Sequence, residues 1–166
     1  MIRITEKGAR RWRGGHPWIF RSDLADVPEG IEPGALTAVG TRKGRRLGRS
    51  AWSDHAQLAL RRMPLTADES DEEGWLRLLH AALDRRGSDQ VCARLVNGDA
   101  DGLPGLIVDR FGAGIGFQTV TQAAERFQSV TLAALRERFE PTVVALRNDT
   151  RSRAFEGMAS VKQLVV

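Results

Sequence analysis

The densest chemistry in this chain is positive charge. Arg42, Lys43, Arg45, Arg46 and Arg49 fall close together, and Arg10, Arg11 and Arg13 form a second cluster. Such clusters suit phosphate oxygens, because Lys and Arg displace the counterions that a polyanion carries. Trp12, His16, Trp18 and Trp52 lie in or beside the same segments. Their flat rings could stack on unpaired bases. The plainer reading is a solvated face over an apolar core, and Trp18 and Trp52 are expected inside that core.

Other chemistries find little support. His16, His55 and His80 lie on separate elements without zinc-ligand spacing, and no nucleophile–base arrangement or paired-carboxylate cleft can be argued from spacing. Cys92 is the single cysteine, which excludes an internal disulfide and a cysteine-built metal site. It sits in an alternating strand pattern, so a buried, inert thiol is expected. Gly112-Ala-Gly114-Ile-Gly116 looks like a phosphate-cradling loop. Such a loop must open a helix, whereas this one leads into a strand and reads as a hairpin turn. Asp99-Ala-Asp101-Gly102 lacks the further oxygen ligands of a calcium loop and reads as a turn.

Charge is divided unevenly along the 166 residues. Residues 1–62 carry a net charge of +7 and the remainder −3. A basic half joined to a mildly acidic half suggests two domains, the first facing a polyanion. No apolar run approaches the roughly 18 residues of a membrane span, and no apolar segment follows the charged N-terminus. A soluble, cytoplasmic protein is expected.

In the first half, Ile2 and Ile4 alternate. Strands are expected at about 35–39, 45–52 and 57–62, with Thr41 to Gly44 as a charged hairpin turn and Pro17 keeping its segment off a central strand. Short strands between glycine-rich turns suggest a small β-barrel. Residues 64–71 read as a linker. Ser70 and Glu73 form a capping box, and Trp75, Leu78, Leu79, Ala82 and Leu83 share one helical face. Arg85 and Arg86 suit the negative helix end, with Gly87 as its cap. Beyond it, strands are expected at about 91–97, 105–110, 114–120 and 143–146, a second helix at 122–139, and a terminal strand after Val161.

Four stretches carry a family resemblance: Gly14–Leu24 (GGHPWIFRSDL), Glu32-Pro-Gly34, Leu47-Gly-Arg49 and above all Arg94–Gly112 (RLVNGDADGLPGLIVDRFG). Arg147-Asn-Asp149 followed by Glu156-Gly157 extends it. In their order these features resemble the cytosine-5 methyltransferases of large-subunit ribosomal RNA that begin with a PUA-type domain. The resemblance implies an α+β chain with a PUA-like RNA-binding barrel at 1–68 and an α/β middle domain of antiparallel strands and two helices at 69–166. It also implies that S-adenosylmethionine and the catalytic cysteines belong to a further domain. No residue of this sequence matches those positions, Cys92 included, so no catalytic, cofactor or metal residue is assigned here. The chain alone is expected not to methylate, and S-adenosylmethionine is expected of the full-length family only.

The expected role is therefore the RNA-binding and linker portion of such an enzyme. Arg13, His16, Arg21, Lys43, Arg45, Arg46 and Arg49 are the candidate RNA contacts. The expected partner is RNA, 23S ribosomal RNA first; no membrane partner is expected, and a homodimer stays open. The competing expectations are a stand-alone RNA-binding or adaptor module without catalysis, and an interaction module whose barrel has lost RNA binding.

Overall fold

The computed structural model describes residues 1–86 and 91–165; the cap expected at Gly87 lies outside them. The chain opens with β1 (Ile2–Ile4) and then α1 (Glu6–Arg13), a helix that the basic composition of this segment had hidden. Thr5 caps α1 by accepting the Gly8 N–H at 3.2 Å, Glu6 sits in its first turn, and Arg10, Arg11 and Arg13 sit in its last. Each matches the sign of the helix dipole at its end. One face of α1 buries Ala9 and Trp12.

The strands β2 (Trp18–Phe20), β3 (Leu24–Asp26), β4 (Leu36–Thr41), β5 (Arg46–Trp52) and β6 (Leu58–Met63) join β1 in a curled six-stranded sheet of order β2-β6-β5-β4-β1-β3. Ile2, Ile4, Ala9, Trp12, Ile19, Val39, Trp52 and Leu60 fill its core. Trp52 is thus a core residue, as expected. Trp18 is not: it lies on the edge strand β2 and is 37% exposed. Ile19 takes the inward position of that short strand, so its neighbours point away.

The helix α2 (Asp71–Arg86) runs where expected. Its capping box is closed in both directions, Ser70 N–H to Glu73 Oε2 at 2.9 Å and Glu73 N–H to Ser70 Oγ at 3.3 Å. All five residues of the expected face are buried. The Trp75 indole stacks on Phe127 at 4.8 Å and donates to Thr131 Oγ1 at 2.9 Å, which satisfies its one polar atom.

A second sheet follows, formed by β7 (Cys92–Asn97), β8 (Leu106–Phe111), β9 (Gly114–Thr119), β10 (Val143–Asn148) and β11 (Val161–Val165), in the order β11-β10-β9-β8-β7. It is mixed rather than antiparallel throughout, because β9 and β10 pair in parallel. Their connection is helical, the crossover that a parallel pair requires. That connection is also not one helix. α3 (Gln122–Arg126) and α4 (Gln128–Phe139) are separated by Phe127, whose ring is committed to Trp75 and whose carbonyl accepts from both Thr131 N–H and Thr131 Oγ1.

Cys92 is exposed, contrary to expectation. β7 is an edge strand, and a register shift between Arg94 and Val96 turns Leu95 and Val96 both inward. The simple alternation that would have buried Cys92 is broken at that bulge. Gly112 makes the expected hairpin turn, between β8 and β9.

The two sheets share a core. Leu36, Ala51 and Met63 of the first sheet pack in one apolar cluster with α2 and the second sheet. Gly34, at φ +75°, lets the backbones meet: a Cβ there would stand 2.4 Å from the carbonyl oxygen of Gln122.

Candidate nucleic-acid interface

The β4–β5 turn is built to present charge. Thr41 N–H donates to the Arg45 carbonyl and Gly44 N–H to the Thr41 carbonyl, both at 2.9 Å. Thr41 Oγ1 accepts a further bond from Arg45 N–H at 3.2 Å. From this closed turn Arg42, Lys43, Arg45 and Arg46 project into solvent. None of the four makes an ion pair among the described residues.

The last turn of α1 is fixed beside it. Trp12 Nε1 donates to the Leu47 carbonyl at 3.1 Å, one residue after Arg46. A Cβ on Gly48 would come within 2.9 Å of the Trp12 ring. Exposed Arg10 and Arg13 thereby join the hairpin on one end of the sheet. Arg11 is diverted: it closes on the buried Asp23 carboxylate at 2.5 Å. His16 follows the helix in the open, its Nδ1 3.1 Å from both the N–H and the carbonyl oxygen of Trp18.

Five of the seven candidate contacts, Arg13, His16, Lys43, Arg45 and Arg46, are therefore exposed. The other two are spent within the fold. Arg21 donates to the carbonyls of Ser53 (2.8 Å) and Ala56 (2.9 Å), and its guanidinium lies 5.3 Å from the centre of the Trp52 ring. Arg49 is buried; it bonds the Asp71 carboxylate and donates to the carbonyls of Glu69 (3.0 Å) and Thr66 (3.4 Å). It fastens the segment that joins β6 to α2.

Charge counting also passed over Arg62. It is exposed, 5.3 Å from the Trp12 ring centre, and donates to the Trp12 carbonyl at 3.3 Å. Its place next to α1 depends on the β2–β6 pairing, which no local pattern announces.

Carboxylates collect elsewhere, each held ionised. Two guanidinium bonds from Arg77 (2.8 and 2.9 Å), joined by the Thr66 N–H, bring Glu69 down from 4.5 to about 2 against the effect of burial. Burial pushes Asp101 upward, but the Asn97 N–H and the guanidinium groups of Arg85 and Arg86 outweigh it and leave its pKa lowered. Glu125 behaves alike: burial raises it, and Arg153 with Thr119 Oγ1 more than compensates. Among the described residues, no group of three or more His, Cys, Asp or Glu side chains is placed to hold a metal ion. No helix among them is long and apolar enough to cross a membrane.

The family model for a PUA-like domain matches residues 2–63, the span of the curled sheet and α1. The chain is also homologous to enzymes named ribosomal RNA large subunit methyltransferase I. That of Erwinia tasmaniensis is 31% identical over 91% of this chain, and that of Shewanella amazonensis 30% over 90%. The chain spans 40% and 39% of the lengths of these two relatives. A chain proposed to be a SAM-dependent methyltransferase, from Streptococcus mutans, superposes on 90% of this one with a TM-score of 0.68. A methyltransferase solved with SAH bound, its activity likewise proposed, gives 0.69 over 89%. At 15% identity, both show the fold alone.

Proposed function

We propose that this chain is the RNA-binding and linker portion of a SAM-dependent 23S ribosomal RNA cytosine-5 methyltransferase, with the PUA-like unit at 1–68 and the middle unit at 69–166. The observation that carries the proposal is the closed β4–β5 turn with four exposed cations that lack carboxylate partners among the described residues. Unpaired charge on a rigid turn gains most from an incoming polyanion, because no existing bond must be broken. Phosphate contacts of this kind fix register and orientation without reading sequence. Arg13, His16, Lys43, Arg45 and Arg46 are the assigned contacts, with Arg10 and Arg42 beside them. Arg21 and Arg49 act as positioning residues, holding the sheet and the joining segment in place.

The residues described here fit S-adenosylmethionine poorly. The glycine run at 112–116 turns a β-hairpin instead of opening a helix, so it offers no helix terminus to a ligand. No step through that cofactor is assigned to these residues; the chemistry belongs to a separate domain in this proposal.

Binding of the chain to 23S ribosomal RNA fragments tests the assignment. The double variant Arg45→Ala, Arg46→Ala should weaken binding several-fold while the protein stays folded. Equal affinity in the two proteins would remove the hairpin from the interface. A second reading, an adaptor without catalysis, draws on exposed Val161 and Leu164 of the edge strand β11. Absence of any RNA binding would favour it.

A further inference from the structure

Phosphate contacts account for the basic end of the molecule but not for its exposed aromatic rings, of which Phe20 carries the Arg11 guanidinium 5.6 Å from its centre and Trp18 meets His16 edge-on. Trp18 and Phe20 lie two residues apart on β2, so both point outward, and each is 37% exposed. Phe155, in the 3-10 turn over Arg151–Glu156, is 74% exposed. Phe20 and Phe155 line one groove of about 540 Å³ between the two sheets, together with Leu58 and Val120.

The guanidinium on this groove is already matched, while its Asp99 carboxylate meets an indole N–H rather than a cation. Arg61 Nη2 donates to Glu156 Oε1 at 2.9 Å, and Asp99 Oδ1 accepts the Trp18 indole N–H at 3.2 Å. A phosphate would find no free cation among these groups. A flat, uncharged ring with polar edges would find aromatic faces, with Gln57 and His55 at hand. Asp99 also lines a neighbouring groove of about 630 Å³, whose wall carries Arg62. Asp99 therefore borders both the aromatic groove and one that holds exposed Arg62 beside the paired Arg49 and Arg85.

We propose that the aromatic groove takes an unpaired RNA base, stacked on Phe155 beside Phe20, while the strand's backbone passes Arg62 in the neighbouring groove. The inference rests on the RNA-binding function above and adds to it a preference for single strands. RNA is favoured over a protein segment because exposed Arg62, which makes no ion pair among the described residues, stands in the adjoining groove where a strand's phosphate would pass. Volumes of this order are ordinary for small-ligand sites.

The test uses the whole chain and one oligoribonucleotide, single-stranded or annealed to its complement, with affinity read by fluorescence anisotropy. Phe155→Ala should lower single-strand affinity about ten-fold, the usual worth of one stacked base. It should leave duplex affinity and the salt dependence unchanged, and Phe155→Trp should retain binding. Phe155 is exposed, so the variants should remain folded. Unchanged single-strand affinity in Phe155→Ala would overturn the inference. So would full binding by Phe155→Leu, since an apolar contact of the kind a protein partner makes would then suffice. If Arg45→Ala with Arg46→Ala weakens binding but Phe155→Ala does not, only the base groove fails. If the native chain binds no RNA, the RNA-binding function fails with it.

Discussion

Two arginines on the same strand do opposite work. Arg46, at the start of β5, is exposed with no carboxylate partner among the described residues, whereas Arg49, three residues on, is buried against Asp71 and two carbonyls. The contrast extends to two regions. The hairpin end gathers Arg42, Lys43, Arg45 and Arg46 in solvent, while Arg61 of the first sheet reaches Glu156 across the seam and Arg153, three residues before it, closes on Glu125 beside the second sheet. Removing a charge from water is costly unless a partner and hydrogen bonds replace the solvent. Paired arginines therefore belong to stability, and hairpin arginines stay available for a ligand.

The largest effect that separates the regions is expected at Arg153. Its Nη1 donates to the Thr119 carbonyl at 2.5 Å and to Glu125 at 2.8 Å, and its Nε donates to the Ala159 carbonyl at 2.7 Å. Arg153→Ala should cost about 3 kcal/mol in urea unfolding, chiefly through the carbonyls of Thr119 and Ala159 left without a donor, since Glu125 is partly solvated. A cost below about 1 kcal/mol would show that the 3-10 turn is not held this way. Arg49→Ala comes next, at about 2 kcal/mol, because its partner Asp71 is also partly solvated and its carbonyl bonds, at 3.0 and 3.4 Å, are longer than those of Arg153. Its folded fraction should bind RNA with the native salt dependence; a reduced dependence would move Arg49 into the interface.

Arg45→Ala with Arg46→Ala should show the reverse pattern. Stability should stay within about 0.5 kcal/mol per site, while RNA affinity falls. A large drop in melting temperature would mean that the turn itself relies on these side chains.

The smallest effect concerns pH. The folded pKa values of Glu69, Asp101 and Glu125 lie below their ordinary values. Each such group adds stability above its unfolded pKa and loses it as pH falls through the folded one. For Glu69 that window runs from 4.5 down to about 2. Melting temperature should decline across it, and Arg77→Ala should flatten the Glu69 share. Arg77 is half exposed, so the change should stay under about 1 kcal/mol. An unaltered acid profile in Arg77→Ala would refute that share.

Legibility in the sequence followed locality. α2 could be read because its capping box and apolar face lie within consecutive residues, and the β4–β5 turn because Gly44 and its charges do. α1 escaped: it is eight residues long, and its Thr5 cap and dipole-matched charges were the signal obscured by the basic run. Cys92 and Trp18 were misplaced because their exposure depends on which strands end the sheets, a property of topology that alternation does not contain. The break at Phe127 arises from a ring partner on α2, Trp75. At the interface, composition located the cations but could not separate free from paired. The partners of Arg21 and Arg49 come from Ser53, Ala56 and the segment after β6.

The salt dependence of RNA binding tests the central claim most directly. Affinity of the whole chain for a single-stranded 23S ribosomal RNA fragment would be measured across a series of salt concentrations, beside the Arg45→Ala, Arg46→Ala variant. Each phosphate contact on a single strand contributes about 0.7 to the slope of log affinity against log salt. The slope should be steep in the native protein and shallower by about 1.4 in the variant. Equal slopes in the two proteins would contradict the assignment of the hairpin to the RNA backbone.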